Sequence, residues 1–244
     1  MYLRWQRSLP REIRVVPVEL PGRGVRTSEA FMSDFDSLIE HLCEVHDRHC
    51  LGRYALYGHS MGALIAYAMA MRWRTLSRPL PESLFASGSP APSRRDPGYF
   101  ADKHSDAALI AELRKQDGTP EPVFEDPAML HLTLGILRAD YGLCAGYRYH
   151  RVRPLDVPIH VLAGRQDDIE ADRIMAWEAE TSRQFSVRWF EGGHFFIRQQ
   201  EPAVLGAITQ QLRNPHPAES DTCGNALPVR LESRKGFNGG DRSH

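Results

Sequence analysis

The 244-residue chain has few of the features that mark secreted, membrane-embedded or nucleic-acid-binding proteins. It has four cysteines, Cys43, Cys50, Cys144 and Cys223, with no Cys-x-x-Cys spacing, which argues against a disulfide framework. No apolar run approaches the roughly 18 residues of a membrane span, and no secretory leader is evident. The formal net charge of -1 gives no long-range field of either sign. Nucleic acid and membrane surfaces therefore have no electrostatic support as partners. A reducing cytoplasm is the expected location. What remains, 42% hydrophobic and 25% charged residues, suits one globular α/β domain with a substantial core.

The most informative stretch is 54–62, Tyr-Ala-Leu-Tyr-Gly-His-Ser-Met-Gly. Residues 54–57 read as a buried strand, and residues 63–72 continue as an almost wholly apolar helix. Between them lies Gly-x-Ser-x-Gly, expected by accident in roughly one chain in ten of this composition. Its context gives it weight, because a sharp strand-to-helix turn lifts one side chain above a sheet. Gly58 and Gly62 are expected to flank Ser60 because Cβ atoms on either side would clash.

The remaining chain alternates strand and helix. Residues 13–20 form a β-branched run read as a strand, with Pro17 placing it near an edge or bulge. Residues 33–49 carry Phe35, Leu38, Ile39, Leu42 and Val45 at helical spacing, capped by Ser33 or Asp34. Strands follow at 84–87, 159–163 and 185–190, with helices near 171–181 and 202–212, the last with Pro202 in its first turn. Such alternation predicts a parallel sheet covered on both faces, with ligands at the strands' carboxyl ends. Residues 93–153 show helical patterns near 107–115, 128–137 and 140–147 and no strand. They read as a helical lid over an apolar acyl pocket. The domain is expected to span 1–213, and 214–244 to be a disordered tail.

Cys43, His46 and Cys50 share a helix face at spacings of three and four. They match no structural zinc pattern and lack a fourth ligand, so a polar helix face with two small thiols is the favoured reading. No metal or cofactor is expected.

Ser60, Asp167 and His194 each follow a strand, in the order nucleophile, acid, base. His194 is expected to take the Ser60 proton and Asp167 to orient the imidazole. The Met61 N–H, heading the helix after Ser60, is the expected oxyanion donor. Asp168 and Asp172 compete with Asp167 for the acid. Glu191 is too near His194 on the same loop, and His59 reads as a shape-filling neighbour of Ser60.

The segments Val-Glu-Leu-Pro-Gly-Arg-Gly-Val-Arg (18–26), Tyr-Gly-His-Ser-Met-Gly-Ala (57–63), Leu-Arg-Ala-Asp-Tyr (137–141), Leu-Ala-Gly-Arg-Gln-Asp (162–167) and Gly-Gly-His-Phe-Phe-Ile (192–197) resemble those of type II thioesterases. The resemblance spans nearly all of residues 2–212. It implies an α/β-hydrolase fold, a mostly parallel sheet with helices on both faces and a helical lid insertion. It implies hydrolysis of acyl or aminoacyl thioesters from the phosphopantetheine arm of acyl or peptidyl carrier domains, in nonribosomal peptide and polyketide synthesis. In this likeness Ser60, Asp167 and His194 fall on the triad, and Asp168 falls where the family often has proline. Members usually open with a strand and a loop resembling Pro-His-Ala-Gly-Gly that supplies a second oxyanion donor. This chain begins after that point, which predicts a start codon placed too far downstream. A monomeric enzyme is expected. The alternatives are a carboxylesterase or acyl-CoA thioesterase of the same fold, and an impaired protein that still docks carrier domains.

Overall fold

In the computed structural model, residues 2–50, 52–96, 98–101 and 103–213 are described. Among them four strands pair side by side in chain order, all parallel: β1 (Ala55–His59), β2 (Ser83–Ser87), β3 (Ile159–Gly164) and β4 (Phe185–Phe190). Every residue of β2 and β3 is buried, as expected of parallel strands covered on both faces. The helices are α1 (Tyr2–Trp5), α2 (Phe35–His46), α3 (Met61–Thr75), α4 (Gly98–Ala101), α5 (Asp106–Lys115), α6 (Glu121–Glu125), α7 (Pro127–Gly146), α8 (Ala171–Met175), α9 (Phe196–Gln199) and α10 (Glu201–Arg213). No helix among the described residues is long and apolar enough to cross a membrane.

The pleat divides the core in two. Leu84 and Ala86 of β2 and Ile159, Val161 and Ala163 of β3 face α3 and Trp177. Phe85 and Leu162 point the other way, onto Trp5, Phe196 and the Val204, Leu205 and Ile208 stripe of α10. This is a three-layer arrangement with helices on both faces. The carboxyl ends of the strands form one edge.

Local sequence explains most element ends. Asp34 caps α2, accepting the Ser37 N–H at 2.7 Å, so of the two candidate caps the aspartate does the work. Asp126 caps α7 through the Ala128 and Met129 N–H groups, with Pro127 at the first helical position. The two helices expected near 128–137 and 140–147 are one helix of 20 residues. Arg138 and Ala139 between them are good helix formers, so nothing there ends it. The helix expected over 171–181 is split into α8 and a 3-10 turn, Ala176–Glu180, that still buries Ile174 and Trp177.

The strand expected over residues 13–20 does not form. Its burial alternates with period two, so the pattern read from sequence is present. Its backbone, however, pairs with a side chain rather than a strand: the Gln6 amide donates to Ile13 O at 2.9 Å and accepts the Val15 N–H at 2.8 Å. Without a ladder, the β propensity is spent on an extended segment. The expected tail, residues 214–244, and Cys223 within it lie outside the described residues.

Between β2 and β3 the chain makes the expected helical excursion, α4 to α7. It has an apolar cluster of its own around Leu109, Leu113, Leu134 and Tyr141. It is tied to the main domain by an ion pair between Arg23, in the Pro-Gly-Arg-Gly loop, and Asp140 on α7. Burial pushes the Asp140 carboxyl above the ordinary carboxylate range despite that arginine.

Candidate active site

β1 ends at His59, and α3 begins at Met61, so the turn is the single residue Ser60. Its backbone sits at φ = 56° and ψ = -119°, a strained region for a residue with a side chain. The Ser60 N–H donates to Ser87 O at 2.8 Å, tying the strained residue to the end of β2. A Cβ on Gly58 would lie 1.9 Å from Gly62 O, so this close approach requires glycine. The same need was expected of Gly62, but a Cβ there would meet nothing within 4 Å. Only the approached backbone, not its own side, is crowded.

Above this turn three side chains meet. His194 Nε2 lies 3.0 Å from Ser60 Oγ, and His194 Nδ1 lies 2.9 Å from Asp167 Oδ2. The imidazole and the carboxylate keep only 13% and 7% of their side-chain surface exposed, which shields their interaction from solvent. Asp168 points away, 72% exposed and 2.8 Å from Lys115 Nζ. Asp172 is exposed on the first turn of α8, and Glu191 pairs with Arg165 at 3.1 Å. Of the acids considered, Asp167 alone hydrogen-bonds His194.

Residues that sequence reading passed over hold the two loops together. The Gln166 N–H donates to Gly192 O at 3.0 Å, its side-chain oxygen accepts the Gly192 N–H, and its amide donates to Glu191 at 2.9 Å. Thus the loop carrying Asp167 and the loop carrying His194 are stapled by the residue just before the acid. Nothing in its type announces that role. Gly164 is required by the same junction, since its Cβ would lie 2.6 Å from both Gly192 O and Gly193 O.

His59 does pack beside the site. Its ring centroid lies 5.0 Å from that of His194, and its Nδ1 is 3.0 Å from Ser87 Oγ. Burial, and then the facing His194, hold its pKa well below 6.5, so it stays neutral. Met61, as the first residue of α3, carries one of the N–H groups that have no intrahelical acceptor.

A cavity of about 360 Å³ opens from Ser60, Asp167 and His194 toward the insertion. It was expected to be apolar, and its lining is mixed: Pro90, Phe100, Ile169 and the rings of Tyr99 and Tyr141 stand beside Arg95, Glu112, Lys115 and Gln116. Glu112 is buried, but Lys103 at 2.5 Å, Tyr99 at 2.7 Å and Gln116 at 2.9 Å all donate to it. Burial alone would raise its pKa; the three donors outweigh burial and hold it below the usual 4.5. A larger groove of about 590 Å³ runs between Ser8, Pro10 and α10, and its lining includes none of the three meeting side chains.

The candidate metal ligands are placed otherwise. Cys43 and Cys50 are buried in the apolar cluster between α2 and α3, and burial pushes their thiols up to about 12 and about 11. Among the described residues no group of three or more His, Cys, Asp or Glu side chains is arranged to hold a metal.

A parallel sheet with helices on both faces, a serine on a strained strand-to-helix turn, and an aspartate and a histidine past the ends of β3 and β4 define an α/β-hydrolase. Comparison with known proteins narrows the class. The thioesterase domain family model matches residues 1–212, and the chain belongs to that family, among the type II thioesterases of nonribosomal peptide and polyketide pathways. It is a hydrolase acting on thioesters. It is 35% identical over 218 residues to linear gramicidin dehydrogenase LgrE of Brevibacillus parabrevis, covering 88% of this chain and 83% of that protein. Among solved structures, it is 36% identical to RedJ, a thioesterase from the prodiginine pathway in Streptomyces coelicolor, at a TM-score of 0.75 over 83% of this chain and 82% of RedJ. It is 38% identical to BorB, the type II thioesterase of the borrelidin cluster, at a TM-score of 0.72 over 80% of each chain.

Proposed function

We propose that this thioesterase releases acyl groups from the phosphopantetheine arm of carrier domains through an acyl-enzyme on Ser60. The observation that carries the reading is the continuous chain from Ser60 Oγ through His194 to Asp167, at 3.0 and 2.9 Å. Serine is a weak nucleophile unless a base takes its proton as it attacks. In this reading His194 Nε2 accepts that proton and Ser60 Oγ bonds to the thioester carbonyl carbon. Nδ1–H stays on His194, donating to Asp167, which stabilises the imidazolium without itself being protonated.

The tetrahedral oxyanion faces the Met61 N–H at the positive end of α3. The imidazolium then gives its proton to the departing pantetheine sulfur as the carbon–sulfur bond breaks. Water, deprotonated by the same His194, attacks the ester and frees the acid and Ser60. The insertion supplies the cover: Gly118 presses on Phe195 next to His194, and Lys115 reaches Asp168. Closing such a cover keeps bulk water from the acyl-enzyme.

Hydrolysis of a short acyl group from a phosphopantetheinylated carrier protein, compared with the same acyl on coenzyme A and as a simple ester, tests this reading. The expected order places the carrier first. A preference for the simple ester would instead make the protein a carboxylesterase of this fold.

A further inference from the structure

Two hydrogen bonds hold the His194 imidazole by its edge, one to Ser60 at 3.0 Å and one to Asp167 at 2.9 Å. They leave the faces of the ring to packing. Phe195 meets it edge-on, with centroids 5.2 Å apart and planes at 81°. His59 lies against it at 5.0 Å, tilted by 48°.

His59 is itself fixed on several sides. In the parallel register it pairs with Ser87, whose fully buried hydroxyl lies 3.0 Å from its Nδ1. Phe195 and Phe196 each stand 5.9 Å from its ring. Gly88, at φ = 53°, makes the room, since a Cβ there would lie 2.5 Å from His59 Cε1. The Ser87 carbonyl also accepts the Ser60 N–H at 2.8 Å. One residue of β2 thus holds the nucleophile through its backbone and, by way of His59, reaches the base through its side chain.

Space filling alone does not explain a histidine here. Its Nε2 is buried and no protein group hydrogen-bonds it, a penalty that an apolar ring of similar size would avoid. What histidine adds is an anchor on Ser87 that carries no charge. Burial, then the facing His194 and more weakly Arg198 on α9, keep the ring neutral; the nearby His194 backbone acts the other way and is outweighed. A charged neighbour would oppose the imidazolium that forms on His194.

We propose that His59 is a positioning residue: fixed on Ser87, its ring backs the His194 imidazole and keeps Nε2 of that base aimed at Ser60 Oγ. The assignment rests on the Ser60 mechanism given above and adds how its base is held. His59 touches no reacting atom in this role, so its loss acts on kcat and leaves KM unchanged.

The test uses His59→Phe, which keeps a ring and loses the anchor, and Ser87→Ala, which keeps the histidine and removes its partner. The bond from the Ser60 N–H to the Ser87 carbonyl is made by backbone and remains available in both. With an acyl-pantetheine thioester, kcat is expected to fall about 10- to 100-fold in each variant at unchanged KM, the scale of a small misplacement of a catalytic group. Proton NMR of the resting protein supplies a second readout: the downfield signal of the proton between His194 and Asp167 is expected to shift or broaden in both. Wild-type kcat in either folded variant would make His59 a space-filling residue and overturn the proposal. So would a loss confined to KM, or a fall in kcat that matches the unfolded fraction by circular dichroism while the NMR signal of the folded molecules stays in place. Where His59→Phe does not fold, Ser87→Ala decides. Where the wild type hydrolyses no thioester, the Ser60 reading falls, and the NMR comparison, which needs no turnover, still decides whether His59 holds His194.

Discussion

The carboxyl edge of the sheet and the helical insertion above it are built by different means. The edge is made of short strands buried throughout, a strained serine and two stapled loops, with glycines wherever backbone meets backbone. The insertion rests on one small apolar cluster and a polar network around buried Glu112. Chemistry that needs placement within a fraction of an ångström sits on the rigid part. The insertion covers that edge and reaches it through an exposed contact, Lys115 to Asp168. The difference predicts that damage to the edge stops all turnover, whereas damage to the insertion mainly alters stability.

The largest effect is expected at the edge. Ser60→Ala or His194→Ala should lower kcat by about 10⁶-fold for every acyl group, and the double variant should lose little more, because residues acting as one unit are not additive. Single-turnover assays with several acyl groups check this. A residual rate that differs between acyl groups in the Ser60→Ala variant would move part of the chemistry into the insertion.

Next comes Glu112. Glu112→Gln leaves Lys103 among buried neighbours and should cost about 3 kcal/mol, read by denaturant unfolding. Because the folded carboxyl lies below its ordinary 4.5, its contribution is full above that value and is lost as pH falls through the folded pKa. The variant should therefore lose part of the acid limb of the wild-type stability curve, while its stability deficit near pH 7 remains.

Two glycines sharpen the comparison within the turn itself. Gly58→Ala drives a methyl group into Gly62 O and should destabilise by about 3 kcal/mol. Gly62→Ala places its methyl group in open space on a helix and should stabilise by about 0.5–1 kcal/mol. Thermal unfolding of the pair checks both signs. The smallest effect belongs to the exposed clasp: Lys115→Met should change stability by no more than about 0.5 kcal/mol, since Lys115 and Asp168 are 53% and 72% exposed.

The legible parts of the fold are those whose signal is local. Residues 84–87 and 159–163 are mostly apolar runs, and both became strands one residue longer than read. Strand 185–190 matched at both ends. The run 13–20 carries an equally good local pattern and failed, because a strand is completed by a neighbour and pairing is not encoded in the run itself. In the site, Ser60, Asp167 and His194 were readable from their order after strands, and they meet. Gln166, Glu112 and Arg95 were not readable, since each depends on partners 25 or 26, 4 to 13 and 6 to 49 residues away. The polar part of the cavity lining was missed for a similar reason: most apolar residues at helical spacing on the insertion's helices point into their own cluster, and only Phe100 and Tyr141 of it also reach the cavity.

The proposed acyl-enzyme is tested most directly by rapid quenching of a carrier-bound acyl thioester with the protein, followed by peptide mass mapping. The expected result is the acyl mass on the peptide containing Ser60, formed before the free acid accumulates and absent from Ser60→Ala. An acyl adduct elsewhere, or hydrolysis by Ser60→Ala at the wild-type rate, would contradict it.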